Sequence, residues 1–326
     1  MITIQKYILI FIIVLAAVIV LVINPKYTFQ EIPKAIGDPL ELMLIQNTKD
    51  FNLDFYKELK GFLSTDIGPS PQPERLLKLI SVNDTDFRGI LKRHQNLLFI
   101  SKSDSFQINI HKNVFAEGQK AIYIKCPSYD VLKNKKAEII QLSQVIKTFE
   151  IRRMEEGFNN FRNKDLIQKI NQSHNMSIIL PKDFFLAYGD TSVTWVRRET
   201  PKISQGIVIA NLATSINTNN TKPVRLKIDS IIKKHVFGPM DNSYMKLEKD
   251  APILLDSVTI NTHAALREQS LWRMENDFMG GIYNAYYFNN ANTNQPIIIY
   301  TYLYAPGERK SISLLQLEAI INTISF

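Results

Sequence analysis

The chain has 326 residues, of which 45% are hydrophobic and 21% charged, with 12 glycines and 14 prolines. This ordinary composition excludes collagen-like, low-complexity and wholly disordered classes, and the length suits two domains of about 100–200 residues each. The formal net charge of +8 is dispersed along the chain rather than gathered in one patch, which favours solvated surfaces over a nucleic-acid site.

The chain opens with an uninterrupted apolar segment at residues 7–23, between Lys6 and Asn24. Its length is close to the roughly 20 residues that a membrane-spanning helix needs, and it exceeds the ~7–15 apolar residues of a signal peptide. No small-residue cleavage motif and no lipobox cysteine accompany it, which disfavours both cleavage and lipidation. We therefore predict a retained signal anchor over residues 1–26, in the inner membrane of a cell envelope, with residues 27–326 exported.

A tether and a first α+β domain are predicted to follow the anchor. Pro33 and Pro39 disfavour helix and suit an extended tether over residues 27–39. The first domain, residues 40–174, is predicted to have strands at 40–45, 76–82, 96–101, 105–111 and 121–126, and helices at 54–63, 83–94, 128–160 and 164–173. In the long helix, Ile139, Leu142, Ile146 and Phe149 are spaced to line one buried face.

A second α+β domain is predicted over residues 175–326, as a mainly antiparallel sheet. Its predicted strands lie at 175–181, 184–189, 191–199, 206–212, 258–261, 264–268, 270–275, 283–289 and 295–305, with helices at 225–236 and 313–324. Turn residues between the strands and helices segregated in sequence favour this class over a parallel sheet.

The C-terminal helix is predicted to pack on the sheet of the second domain. Its apolar stripe consists of Leu314, Leu317, Ile320, Ile321 and Ile324. Either Ser311 or Ser313 is predicted to cap its first turn.

The segment 191–199 carries the first group of candidate functional residues. Because side chains alternate along a strand, Trp195, Arg197 and Glu199 are predicted to share one face, and Arg198 the other. An arginine here suits an anion clamp, since guanidinium binds carboxylate or phosphate through two hydrogen bonds. The alternative is a structural ion pair with Glu199 or Glu275, which we favour.

A second group lies in the segment 270–288, where Arg273 sits between Trp272 and Met274. The glycine pair at 280–281 suits a tight turn or a close approach of the backbone, with ligand contact as the alternative. It is not a phosphate-binding loop, because the GxxxxGK[ST] spacing is absent.

The arginines of the two segments are predicted to converge with acidic side chains on neighbouring strands, with at least one arginine substantially buried and paired. The candidate ligand or partner contacts are Trp195, Arg197, Arg198, Glu199, Trp272, Arg273 and Asp277.

No catalytic, cofactor-binding or metal-binding residue can be assigned from motifs. The five histidines contain no HxxxH or HxH pair, and no GxSxG is present. The single Cys126 follows an apolar strand and is interpreted as a small buried residue rather than a nucleophile.

Several strings resemble the uncharacterised Bacteroidetes envelope family known as domain of unknown function 4837. They are WVRRETPKISQGI at 195–207, SLWRMENDFMGG at 270–281, QPERLLKLISV at 72–82, SYM at 243–245 and LEAIINTISF at 317–326. The resemblance runs over nearly the whole chain after Pro33. It implies an envelope location and no known activity; members commonly look like lipoproteins, whereas this chain lacks the lipid-bearing cysteine. The second domain also resembles the PsbP-like α/β/α sandwich.

We interpret the chain as a membrane-anchored, non-catalytic binding or assembly module that needs no cofactor. Tyrosine-rich strands near the C-terminus suit a surface that binds another envelope protein or a cell-surface component. The alternative is an envelope hydrolase with a charged site near Arg197, Arg198, Arg273 and Asp277.

Overall fold

The computed structural model describes residues 32–213, 222–290, 293 and 295–326. Within these ranges the chain has a mixed α+β fold, with a five-stranded sheet, an eight-stranded sheet and six α-helices. The predicted anchor at residues 7–23 lies outside the described residues. Among the residues that are described, none of the helices combines the length and the apolarity that spanning a membrane requires.

The first sheet is mainly parallel, a direction that the sequence analysis did not predict. In order across the sheet, its strands are β2 (Lys78–Asn83), β1 (Glu41–Gln46), β3 (Asn96–Lys102), β5 (Lys120–Cys126) and β4 (Gln107–Lys112). Strand β1 is parallel to β2 and β3, and β3 is parallel to β5, whereas β4 pairs antiparallel with β5. Helix α1 (Leu53–Phe62) lies in the crossover from β1 to β2, as parallel neighbours require.

Two helix predictions in this half need correction. The helix predicted at 83–94 is wrong, because the chain forms short 3₁₀ turns at Asp84–Asp86 and Gly89–Arg93, and Gly89 has a positive φ that an α-helix does not allow. The helix predicted at 128–160 is two helices, α2 (Tyr129–Asn134) and α3 (Lys136–Asn160), separated by Lys135 in a non-helical conformation.

Helix α3 buries the predicted stripe except at its end. Ile139, Leu142 and Ile146 are buried in the core of the first half, but Phe149 is half-buried and Glu150 takes the inward position. The Glu150 carboxylate accepts a hydrogen bond from Asn96 Nδ2 at 2.6 Å and is paired with Arg153 at 2.7 Å.

The second sheet is antiparallel throughout its described pairs, which confirms the prediction. Seven of its strands follow the order β10-β11-β12-β13-β8-β7-β6, and β9 pairs with β11. Their bounds are β6 (Phe185–Gly189), β7 (Val193–Glu199), β8 (Ser204–Asn211), β9 (Tyr244–Leu247), β10 (Leu254–Ile260), β11 (His263–Glu275), β12 (Gly280–Asn289) and β13 (Pro296–Tyr304).

Two strand predictions here are corrected. The strands predicted at 264–268 and 270–275 are one continuous strand, β11. The segment 175–181 is not a strand: it joins only an isolated bridge at Ser177 and another at Pro181. Its apolar side chains alternate because every second one packs into the core beside the C-terminal helix, so the two-residue period reflects packing rather than sheet pairing.

Helices cover both faces of the second sheet. Helix α5 (Lys222–His235) packs on one face through Val224, Ile228 and Ile232. Helix α4 (Lys164–His174), assigned to the first domain in the sequence analysis, packs Leu166 and Ile170 into the core of the other face. Helix α6 (Ser311–Asn322) also lies on that second face.

Helix α6 is buried between the two halves of the molecule. Its predicted stripe, Leu314, Leu317, Ile320, Ile321 and Ile324, packs into the core of the second sheet, which confirms the prediction. Its opposite side places Leu315 and Ala319 in the core of the first half. A helix that is apolar on both sides is typical of an element buried between two layers.

The start of α6 is capped by Glu74 rather than by a serine. The Glu74 carboxylate accepts hydrogen bonds from Lys310 N and Ser311 N, both at 2.8 Å, and lies beside Arg309. The predicted serine cap is therefore wrong: an acid from a distant loop supplies the acceptor, and its charge also suits the positive end of the helix.

We expect Glu74→Ala to lower the free energy of unfolding by about 1–2 kcal/mol, because two helix N–H groups lose their acceptor. Urea unfolding monitored by circular dichroism measures this change. Glu58→Ala on the exposed side of α1 is the control and should change stability by less than about 0.5 kcal/mol. An equal effect of the two substitutions would contradict the capping role.

Candidate functional site

The alternation of side chains along β7 places the predicted residues on two faces of the second sheet. Trp195, Arg197 and Glu199 face the side covered by α5, where they line a cavity. Val196 packs into the opposite core, and Arg198 extends toward α6 on that same side. The predicted division of this strand into two faces is confirmed.

We call the space on the α5 side the aromatic cavity, and its volume is about 630 Å³. Aromatic, methionine and proline side chains supply most of its wall. They are Trp195, Trp272, Tyr302, Tyr304, Phe237, Met245, Met274, Met279, Pro201, Pro239 and Pro306. Sites that bind organic groups are commonly concave and lined by aromatic and apolar side chains together with polar groups that fix orientation.

Two glycines make room for the rings. A Cβ on Gly206 would lie 2.1 Å from the ring of Tyr302, which lies across β8 at that point. A Cβ on Gly281 would lie 1.9 Å from the carbonyl oxygen of Leu303 and 3.1 Å from Trp272 Nε1. At the glycine pair 280–281, Gly281 therefore allows the backbone of Leu303 and the ring of Trp272 to approach closely, one of the roles considered for this pair.

The rings at the floor of the cavity are held by hydrogen bonds and by each other. Trp195 Nε1 donates to the hydroxyl of Tyr302 at 3.2 Å, and Trp272 Nε1 donates to the carbonyl of Leu303 at 3.3 Å. Trp272 and Tyr302 pack edge to face, with centroids 5.5 Å apart. Burial raises the pKa of Tyr302 to about 12, so its hydroxyl stays protonated near neutral pH.

Charged side chains border the cavity as matched pairs. Arg197 lies 2.6 Å from Glu199, whose carboxylate also accepts a hydrogen bond from Ser204 Oγ. The guanidinium lies over the ring of Trp195, 5.4 Å from its centroid. Lys202 and Glu308 form a second pair at 2.7 Å. Arg197 and Glu199 therefore form one of the ion pairs considered for this segment, whereas Arg198 pairs with Asp183.

Four of the seven predicted contact residues line this cavity, namely Trp195, Arg197, Glu199 and Trp272. The other three lie elsewhere. Arg198 pairs with Asp183 at 2.6 Å on the opposite face, Arg273 pairs with Glu248 at 3.1 Å, and Asp277 accepts a hydrogen bond from Phe278 N in a turn.

The three arginines do not converge, so that prediction is wrong. Strands β12, β13 and β8 lie between β11 and β7, which separates Arg273 from Arg197 by roughly 19 Å. Each arginine is paired with a carboxylate, but only Arg197 with Glu199 and Arg273 with Glu275, at 3.6 Å, use a predicted acid. The three arginine side chains are 27% to 49% exposed, so they are partly buried.

A buried polar network beneath helix α5 was missed by the sequence analysis. Glu268 is fully buried and accepts hydrogen bonds from Arg225 at 2.7 Å and from the hydroxyls of Tyr283 at 2.5 Å and Tyr287 at 3.3 Å. Burial and the Glu268 carboxylate raise the pKa of Tyr283 well above its usual value. The sequence signal was the tyrosine alternation on β12 and β13, which places several phenols on one face.

Cys126, the remaining candidate for a reactive side chain, lies in a structural position. Cys126 is buried and donates to the carbonyl of Ser128 at 2.9 Å, and burial raises the pKa of its thiol. In the described part of the chain, no three His, Cys, Asp or Glu side chains form a group that could hold a metal ion.

Comparison with known protein families finds one matching domain family for each half of the chain. Residues 163–323 match the profile of the domain of unknown function DUF4837. Residues 163–323 are a DUF4837 domain. Residues 35–162 match a different domain of unknown function, DUF8532, so the DUF4837 resemblance is confirmed over a shorter range than predicted. All seven predicted contact residues lie within the DUF4837 domain.

Solved structures add little to the DUF4837 assignment. The Saccharomyces cerevisiae Ran-binding protein Mog1p is 6% identical, and the match covers 46% of this chain and 89% of that chain with a TM-score of 0.31. A mutant of protein Mog1 is 8% identical over the same shares, with a TM-score of 0.30. No curated protein matches the chain.

The aromatic cavity depends on glycine at position 206, and a substitution there gives a direct prediction. We expect Gly206→Ala to lower the free energy of unfolding by about 1–3 kcal/mol and to shift tryptophan emission, because the new methyl group displaces the Tyr302 ring. Gly157→Ala on α3 is the matched control, since a Cβ there meets nothing within 4 Å and alanine favours helix. Unchanged emission in Gly206→Ala would contradict the account.

Proposed function

We propose that the chain is a non-catalytic binding or assembly module and that the aromatic cavity receives an apolar side chain of a partner protein. The observation that carries the proposal is the cavity itself, in which both tryptophans of the chain and Tyr302 line one space. Trp and Tyr are the residue types that most often dominate protein interfaces when they sit in a desolvated pocket.

Exposed apolar residues beside the cavity support a protein partner. Phe237 lines the cavity and is 58% exposed, and Met240 is exposed in the same loop. Phe278, next to the lining residue Met279, is fully exposed. Exposed apolar side chains near an aromatic cavity suit a protein partner better than a small polar substrate, because a partner removes these side chains from water.

Membrane attachment is part of the proposal. Residues 7–23 would anchor the chain in the inner membrane of a cell envelope, with residues 27–326 exported, and the support is the length of the apolar segment. The partner would then be another envelope protein or a cell-surface component. The absence of a lipobox cysteine favours this anchor over lipidation.

The hydrolase alternative has less support. It requires Arg197, Arg198, Arg273 and Asp277 near one site, but Arg197 and Arg198 lie on opposite faces of the sheet and each arginine is already paired with a carboxylate.

We also propose that the second domain is a PsbP-like α/β/α sandwich. The support is its layering, with α5 on one face of the second sheet and α4 and α6 on the other. Folds of this kind host many functions, so the layering bears on architecture and not on activity.

Site-specific photocrosslinking in native membranes tests the proposed function. A benzophenone amino acid at Phe237 of the full chain should crosslink to a protein, because this side chain lines the cavity and is exposed. The matched control position is Phe161, which is 74% exposed at the end of α3. The adduct at 237 should disappear when Gly206→Ala is added. Identical adducts at both positions, or none at 237, would refute the proposal.

A further inference from the structure

A second cavity lies between the two halves, on the face of the second sheet opposite the aromatic cavity. Its volume is about 230 Å³, and its walls come from residues of both halves. We propose that this interdomain cavity binds a neutral polyhydroxylated molecule about the size of one sugar ring. The proposal does not depend on the function proposed for the aromatic cavity.

Two neutral polar atoms in the wall lack partners. Asn284 is 6% exposed and Ser311 is 1% exposed, yet among the residues that the structure describes neither Asn284 Oδ1 nor Ser311 Oγ finds a hydrogen-bond partner. Both side chains line the cavity. A buried polar group without a partner destabilises the protein, so a ligand that hydrogen-bonds to both atoms removes this penalty.

The charged groups of the wall are already neutralised. Lys147 lies 2.6 Å from Glu318, and Arg267 binds both oxygens of Asp256 at 2.9 and 2.6 Å. Asp66, which also lines the cavity, faces Arg75 outside it at 3.5 Å. Because no cation or carboxylate of the wall is left without a counter-charge, the cavity does not favour an ionic ligand.

The unpartnered atoms and the apolar wall together define the ligand chemistry. An amide oxygen only accepts a hydrogen bond and a hydroxyl can donate or accept, so hydroxyl groups on the ligand satisfy both. Ile67, Leu314 and Leu315 give the cavity an apolar side that suits the C–H faces of a ring. The volume lies below the ~300 Å³ at which sites for drug-sized ligands begin. A single polyol ring meets all three conditions.

Saturation-transfer NMR on the detergent-solubilised full chain tests the proposal, because it detects the bound probe directly. A rise in melting temperature would not serve, because sugars can stabilise a protein without binding to it. The probes are D-glucose, D-galactose and myo-inositol, with acetate as the anionic comparison. We expect a saturable signal from at least one neutral probe and none from acetate. A signal from acetate alone, or no signal from any probe, would overturn the proposal.

Substitutions in the wall of the interdomain cavity test whether the probe binds there. Ser311→Ala should weaken the bound probe about three- to tenfold, the effect of one hydrogen bond, without loss of stability, since the Ser311 hydroxyl has no partner to lose. Ser313→Ala on the same helix, also buried but outside the wall, is the matched control. Trp272→Phe in the aromatic cavity should leave the signal unchanged, which separates this site from the proposed function. Binding unaffected by Ser311→Ala and by Asn284→Leu would refute the assignment.

Discussion

Replacing Arg225 with methionine is expected to lower the free energy of unfolding by about 3–5 kcal/mol, the usual effect of removing one partner of a buried ion pair. Arg225 is the cation that contacts the fully buried carboxylate of Glu268. Without it the carboxylate keeps the cost of burial and loses its counter-charge. Equilibrium unfolding in urea measures the change.

The double variant Arg225→Met with Glu268→Gln makes this prediction specific. Glutamine keeps an acceptor oxygen for the hydroxyls of Tyr283 and Tyr287 but carries no charge, so the double variant should recover most of the lost stability. Lys135→Met, which breaks an exposed pair with Glu138, is the control and should change stability by less than about 1 kcal/mol. A double variant no more stable than Arg225→Met would show that the charge is not the cause.

Deleting residues 312–326 is expected to leave the chain insoluble, because α6 covers apolar surface of both halves. The deletion would expose the core face of the second sheet, and contiguous apolar surface of this kind drives aggregation. Expression followed by fractionation and thermal melting measures the outcome. A soluble truncation that melts cooperatively would refute the packing.

Single substitutions separate the two sides of α6. Leu317→Ala removes apolar volume on the side of the second sheet and Leu315→Ala on the side of the first half, and each should cost about 2–5 kcal/mol. If α6 belonged to the second half alone, Leu315→Ala would be close to neutral. That result would contradict the position of α6 between the two halves.

The sequence analysis predicted individual helices and strands better than it predicted which elements pair or pack with each other. The apolar stripe of α6 was visible because its period matches a helix, and the two faces of β7 were visible because strands alternate. The parallel direction of the first sheet was not visible, since direction depends on which strands become neighbours. The cap by Glu74 was missed for the same reason: a carboxylate more than 230 positions away meets the helix only after folding.

The candidate site was found in part, for a similar physical reason. Trp195 and Trp272 were chosen from their local strings, and the fold brings them to one cavity. Arg198 and Arg273 were expected to join them, but strand alternation turns Arg198 to the opposite face and three strands separate Arg273 from β7. The polar atoms of the interdomain cavity, Asn284 and Ser311, were not noticed, because being unpartnered is a property of the folded state.

The most direct test of the central claim, that the aromatic cavity binds apolar side chains, is a tryptophan fluorescence titration of the full chain. Trp195 and Trp272 are the only tryptophans and both line the cavity, so emission reports its occupation. N-acetyl-L-leucinamide and N-acetyl-L-phenylalaninamide serve as model side chains. We predict a saturable change in emission that Gly206→Ala abolishes and Gly157→Ala preserves; a response that never saturates, or one that Gly206→Ala leaves intact, would contradict the claim.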